Sequence, residues 1–292
     1  MVRTISTRCG NKIVSYLASV ILAICCTSSA VLAASETIVF GVVPQQSATR
    51  LAQVWVPLMR HLSTATGYEI KFATAKDIPT FEACLARSAY DIAYMNPYHY
   101  TVFHDEVGYQ AFAKQREKKL RGVIVAKVDS AVESLSDLNG SSVAFPSPAA
   151  FGASVIPRAE MRSLEIAFTP KYVKSHDSVY RSVALGLFPA GGGVGRTLNN
   201  IPENIRAQLK VIHNTDHYTP HAFAASSSLP PQIVSSIATE LLGTQAKELL
   251  EPLGMKGFEG AHNQDWDDVR NLNLEQKQTE IAVSGEIECR SD

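Results

Sequence analysis

Apolar positions along this chain switch repeatedly between two periods. Thr37 to Val43, TIVFGVV, is a short β-rich run. From Leu51 to Thr66 the apolar residues Leu51, Val54, Trp55, Leu58, Met59 and Leu62 recur at the spacing of one helix face. YEIKFAT then predicts a strand and DIPTFEACLARS a helix, with Asp77 placed to cap it and Pro79 in its first turn. YDIAYMN is a further strand, PYHYTVFHDE a short helix and LRGVIVAKV a longer strand. A second set begins near Val128. ESLSDLNG is a short helix ended by Gly140, SSVAFP a strand, AAFGASVIPRAEM a helix, and EIAFTPKYVK a loop and strand. HDSVYRSVALGLF is a helix, AQLKVIHN a strand, and after TPHAFAAS the chain returns to helices at Pro231–Leu242 and Thr244–Pro252. Phe258 and Trp266 are the aromatic anchors of the polar last forty residues.

Strands alternating with helices predict βαβ units and parallel sheets. The chain is therefore read as an α/β protein of two lobes. LRGVIVAKV and HAFAAS are expected to bridge them as a two-strand hinge, which leaves a ligand cleft between the lobes. The expected boundaries are 36–124 and 221–283 for a discontinuous first lobe, 125–220 for the second, and 284–292 for a tail.

The first residues concern address. Arg3, Arg8 and Lys12 precede an apolar run from Ile13 to Cys26, and small residues lead into SSAVLAAS. This is the pattern of a secretory signal peptide, residues 1–33, cleaved after Ala33. The run is shorter than the roughly 20 residues of a membrane span. A lipoprotein anchor at Cys25 or Cys26 competes, against the bulk of Ile24. Secretion through the inner membrane makes the periplasm the expected compartment. Loss of the leader removes three positive charges and no acid, so the formal charge moves from -1 to -4. That mild acidity argues against nucleic acid, whose partners carry a basic stripe. Cys84 and Cys289 are the cysteines left, far apart and one of them in a polar tail, so no disulfide framework is expected.

Tests for catalytic motifs find little. PAGGGVGRT fits neither GxGxxG nor GxxxxGK[ST], with Arg196 where the third glycine belongs, and reads as a tight turn lining a cleft or leaving a strand. His213, His217 and His221 are four residues apart, but Pro220 interrupts any helix there. In extended chain that spacing is about 13 Å, too far to share a metal with bonds near 2 Å. There is no GxSxG elbow and no obvious pair of carboxylates. No metal, cofactor or enzymatic activity is expected, a secreted α/β enzyme acting on an anionic small molecule being the rival from another class.

The most informative stretch is FPSPAAFGASVIPR, Phe145 to Arg158. A strand hands over to a helix through proline, alanine and glycine. The first peptide N–H groups of a helix have no partner within it, and the helix dipole adds to their attraction for an anion. Small residues at Ala149, Ala150 and Gly152 would let a ligand reach the backbone itself. With YDIAYMNPYHYTVF and SHDSVYRSVALG, this stretch resembles the phosphate/phosphite/phosphonate-binding periplasmic proteins of ABC importers, the PhnD-like family, from about Val39 to Gly254. The resemblance implies a type II periplasmic binding fold holding an oxyanion between its lobes. It implies site residues Gln45, Gln46 and Ser47 in the first-strand loop, and Asn96, Tyr98 and Tyr100 after DIAYM. In the second lobe it implies Ser147, Ala149, Ala150, Phe151 and Gly152 at the helix start and His176 after the next strand. His221 stands on the return strand. Where phosphonate-binding members carry Ser-Thr-Ser-Gly, this chain has Ala150-Phe151-Gly152-Ala153, so the implied donors are mostly backbone amides. Where aminophosphonate-binding members have an acid, it has Pro220-His221. The implied protein is a monomer whose partner is an inner-membrane ABC permease, or a sensor histidine kinase if closure reports ligand instead of delivering it.

Overall fold

The computed structural model describes residues 1–2, 37–283 and 289. The expected leader, with Cys25 and Cys26, lies outside the described residues, as does the tail apart from Cys289. The described chain forms two sheets. The first set runs β1 (Thr37–Val42), α1 (Ala48–Thr66), β2 (Glu69–Ala73), α2 (Ile78–Ala86), β3 (Ile92–Met95), α3 (Pro97–Val107) and β4 (Gln110–Gln115). The second runs β5 (Gly122–Lys127), β6 (Ser141–Phe145), α4 (Ile156–Ser163), β7 (Phe168–Tyr172), α5 (His176–Ala184), β8 (Ala190–Val194), α6 (Gly195–Asn200) and β9 (Leu209–Asn214). The chain then returns with β10 (Ala222–Ala225), α7 (Pro231–Gly243) and β11 (Phe258–Gly260).

Local rules explain most of the boundaries. Ser47 caps α1, its hydroxyl accepting from Arg50 N–H, and Gly67 ends it in the left-handed conformation. Asp77 caps α2 by accepting from Thr80 N–H. Asn96 caps α3, with Pro97 in its first turn. The buried face of α1 is the six-residue apolar stripe of the sequence, and Trp55 packs against Tyr94 with ring centroids 4.7 Å apart.

The first sheet has strand order β11-β4-β10-β3-β1-β2, with β1 parallel to β2 and β3 and with β10 antiparallel to β3 and β4. The second has order β7-β6-β8-β5-β9, with β6 parallel to β7 and β8 and β5 antiparallel to β8 and β9. Each lobe thus has its own core. The segment LRGVIVAKV does not bridge the lobes as expected. Its apolar run is buried because it is an inner strand of the second sheet, and the change of lobe comes before Gly122. The crossing is made by residues 116–121 and 215–221, joined where Leu120 and Tyr218 exchange backbone hydrogen bonds of 2.7 and 2.8 Å.

Two more findings depart from the sequence reading. Within PAGGGVGRT, Ala190–Val194 is strand β8, buried throughout, and Gly195 directly begins α6. Its glycines are required by close approach: a Cβ on Gly193 would lie 2.0 Å from the Tyr180 hydroxyl, and one on Gly192 would lie 1.9 Å from the Ala153 carbonyl oxygen. Second, Cys84 and Cys289 form a disulfide. Chain separation hid this pairing, because residues 276–283 run back over the first lobe, where Ala282 N–H donates to Glu82 at 3.0 Å close to Cys84 on α2. Among the described residues no helix is long and apolar enough to cross a membrane.

Candidate functional site

The helix that follows β6 begins abnormally, and proline is the reason. Pro157 has no N–H, so it returns no bond to Gly152 or Ala153. Phe151–Val155 accordingly opens as a π turn, with Ile156 N–H bonding Phe151 O, before α4 continues regularly. The freed carbonyls lie flat against glycines of the sheet: a Cβ on Gly122 would meet Gly152 O at 1.9 Å, as one on Gly192 would meet Ala153 O. Arg158 locks the turn from behind. Its buried guanidinium donates to Pro148 O at 2.7 Å, to Ser154 O at 3.3 Å and to the Tyr172 hydroxyl at 2.9 Å. At the front, the N–H groups of Phe151, Gly152 and Ala153 have no acceptor among the described residues.

Phe151, Gly152 and Ala153 line a small cavity of about 10 Å³ between the lobes. Among its lining residues are Gln45, Asn96, Ala150, Phe151, Gly152, His176 and His221. The lobes touch across it. His176 N–H donates to Gln45 O at 3.2 Å, Asn96 Nδ2 donates to Ala149 O at 3.2 Å, and Arg196 donates to Gln45 Oε1. Arginine only donates, so this bond fixes the Gln45 amide: Oε1 toward Arg196, Nε2 toward His221. Gln45 Nε2 then donates to His221 Nε2 at 3.1 Å, which leaves the proton of a neutral His221 on Nδ1. His221 stacks on Tyr94, centroids 4.9 Å apart.

Seven of the thirteen expected residues therefore come together in one lining. The others do not. Ser47 is spent capping α1, and Gln46 is buried outside the lining. Tyr98 bonds the Thr279 hydroxyl at 2.8 Å, and Tyr100 bonds Asn263 at 3.1 Å and packs on Trp266, so both serve the packing of the first lobe. Ser147 is buried with its hydroxyl unpartnered among the described residues, and Ala149 contributes its carbonyl to Asn96. Of the spaced histidines, His213 pairs with Glu160 at 2.6 Å and His217 is exposed, and among the described residues no group of three metal-ligating side chains forms. The sequence reading missed Arg196 as a site residue. Its signal was a lone arginine directly after a glycine-rich segment, set at the end of a buried strand.

Burial decides the charge state of the site. His176 lies buried with Nδ1 3.1 Å from Thr197 Oγ1; desolvation, with Arg196 nearby, pushes its pKa down to about 3. The same two causes, desolvation foremost, push His221 well below its ordinary value. Both are neutral at pH 7, so Arg196 supplies the charge and the imidazoles supply hydrogen bonds. Above the ordinary value of 6.5 neither folded nor unfolded chain protonates them. Below it the unfolded chain binds protons that the folded protein refuses, until about pH 3 for His176. Stability is thus full above 6.5 and falls with pH by about 1.4 kcal/mol per unit per histidine. The thermal midpoint is expected to drop steadily from about pH 6.5 to about pH 4.5, and His176→Gln to remove about one proton from that slope. A midpoint flat across this window contradicts buried neutral histidines.

Residues 40–266 match the family described as "ABC transporter, phosphonate, periplasmic substrate-binding protein". The chain belongs to this family. It is 24% identical over 236 residues to the phosphate-import protein PhnD of Mycolicibacterium smegmatis, covering 70% of each chain. Among solved structures, a binding-protein component of an ABC phosphonate transporter from Pseudomonas aeruginosa superimposes with a TM-score of 0.75 at 17% identity, over 87% of this chain and 91% of that one. PhnD1 of Prochlorococcus marinus, solved with methylphosphonate, gives 0.73 at 16% identity, over 82% and 99%. The fold is that of the type II periplasmic binding proteins, and the family's members serve ABC transporters by binding a small ligand for a membrane permease.

Proposed function

We propose that this phosphonate-family binding protein captures a small phosphorus oxyanion between its lobes for import and, after cleavage of a leader at residues 1–33, works as a periplasmic monomer. One observation carries the reading. Three successive N–H groups, those of Phe151, Gly152 and Ala153, have no acceptor among the described residues, and the cavity their residues line contains no carboxylate and lies beside Arg196. Such an arc matches the oxygens of a phosphoryl group. His176 and His221 would add hydrogen bonds without adding charge, and Phe151 an apolar wall.

Entry requires the lobes to part, since a phosphonate is far larger than the space left when Gln45 contacts both Arg196 and His176. A bound oxyanion takes over the donor that Arg196 now gives to Gln45. The family match supports import over sensing by a kinase partner and over turnover of the ligand. Calorimetric titration with phosphate, phosphite, methylphosphonate and sulfate, with product analysis, tests this. One phosphorus oxyanion should bind one-to-one and be recovered unchanged, and Arg196→Gln should weaken it by about tenfold to a hundredfold, as expected for a lost charge-assisted bond. Absence of binding to every phosphorus oxyanion, or formation of product, overturns the proposal.

A further inference from the structure

Next to the small cavity lies a larger one of about 510 Å³. Gln45 lines only the small cavity and Arg196 only the large one, while Leu120, Val194 and His221 line both. The Gln45 side chain, bonded to Arg196 and His221, is thus a point of contact between the two linings.

The larger cavity has an unusual charge. Lys118, Lys119, Arg121 and Arg196 line it, with His217, and no carboxylate does. Lys118 and Arg121 have no ion-pair partner among the described residues, and Lys119 reaches Asp268 only at 4.0 Å. Lys118 and Lys119 also line a neighbouring space with Glu117, Glu259 and Asp265, none of which lines this one. Its volume is within the range of about 300–1,000 Å³ typical of small-molecule sites, far more than a methyl substituent fills.

We propose, resting on the oxyanion reading of the cleft, that this basic chamber receives the substituent of the bound phosphorus compound, and that the substituent carries a second anionic group. The phosphoryl head sits on the amides of Phe151–Ala153; the tail passes the displaced Gln45 and ends among Lys118, Lys119 and Arg121. A carboxylate and a second phosphoryl group share this chemistry. A tail ending in an ammonium group is disfavoured, because it meets four like charges and no carboxylate.

Titration of the mature protein at fixed ionic strength with methylphosphonate, 3-phosphonopropionate, methylenediphosphonate and 2-aminoethylphosphonate tests the proposal. At least one of the two compounds with a second anionic group should bind about tenfold or more tighter than methylphosphonate, and which one does so identifies the tail. 2-Aminoethylphosphonate should bind more weakly than methylphosphonate. The triple variant Lys118→Gln, Lys119→Gln, Arg121→Gln changes exposed side chains only, and in it the affinity ratio should fall toward one. A ratio near one in the unaltered protein, or a high ratio surviving in the triple variant, overturns the chamber's role. If methylphosphonate and phosphate bind but a second charge adds nothing, this inference alone fails. If neither binds, the oxyanion reading fails with it.

Discussion

Gly152→Asp is expected to lower affinity for phosphate or methylphosphonate by at least about a hundredfold, because like charges brought together in a desolvated site cost several kcal/mol. A Cβ on Gly152 would stand 3.1 Å from Val194 and 3.4 Å from Leu120, two residues that line the cleft. A carboxylate at that place lies against the unpaired amides of Phe151, Gly152 and Ala153 and satisfies them from within the chain. It also repels an incoming anion. Gly152→Ala makes the same close contacts without the charge, so the difference between the two variants isolates electrostatics from fit. Circular dichroism should show both folded. Full affinity in the aspartate variant would remove the amides from the binding site.

The second large effect concerns the backs of those same peptides. In Gly122→Ala the new Cβ would fall 1.9 Å from Gly152 O, a backbone atom in a segment pinned by Arg158. Neither side can swing away as a flexible side chain would. Overpacking of this kind costs about 3 kcal/mol or more, and for a protein of this size that lowers the thermal midpoint by roughly 6–12 °C. The carbonyl of Gly152 and the N–H of Ala153 are two ends of one planar peptide group. Pushing the oxygen therefore turns the donor, and phosphonate affinity should fall together with stability. Gly192→Ala, whose Cβ would meet Ala153 O at 1.9 Å, should behave alike through the peptide that carries Ser154 N–H, but with the smaller loss of affinity. A melting temperature unchanged in Gly122→Ala would mean that the π turn does not rest on β5 as described.

Much of this protein was legible in its linear order. Periodicity located most strands and helices, since each must bury one face against a sheet, and Asp77 marked a helix start through cap chemistry that is local by nature. β4 was missed: its alternating QAFAKQ is short and only half buried. The alanine- and glycine-rich approach to α4 pointed to free backbone donors because nothing else in that stretch offers chemistry.

Direction and long-range pairing were not legible. Tyr98 and Tyr100 sit on the helix next to the cleft, yet their hydroxyls turn to Thr279 and Asn263, residues more than 160 positions away. Arg196 became a neighbour of Gln45 only because two lobes close on each other. Cys84 met Cys289 because the last described residues fold back over α2. The glycines of β8 resembled a turn because nothing local reveals that Tyr180 and the π turn press upon them. Short-range sequence thus determined which elements form and where a bare backbone would be offered. The tertiary structure decided what faces that backbone, because contacts across a hinge depend on how whole lobes meet, and no local spacing of residues records that.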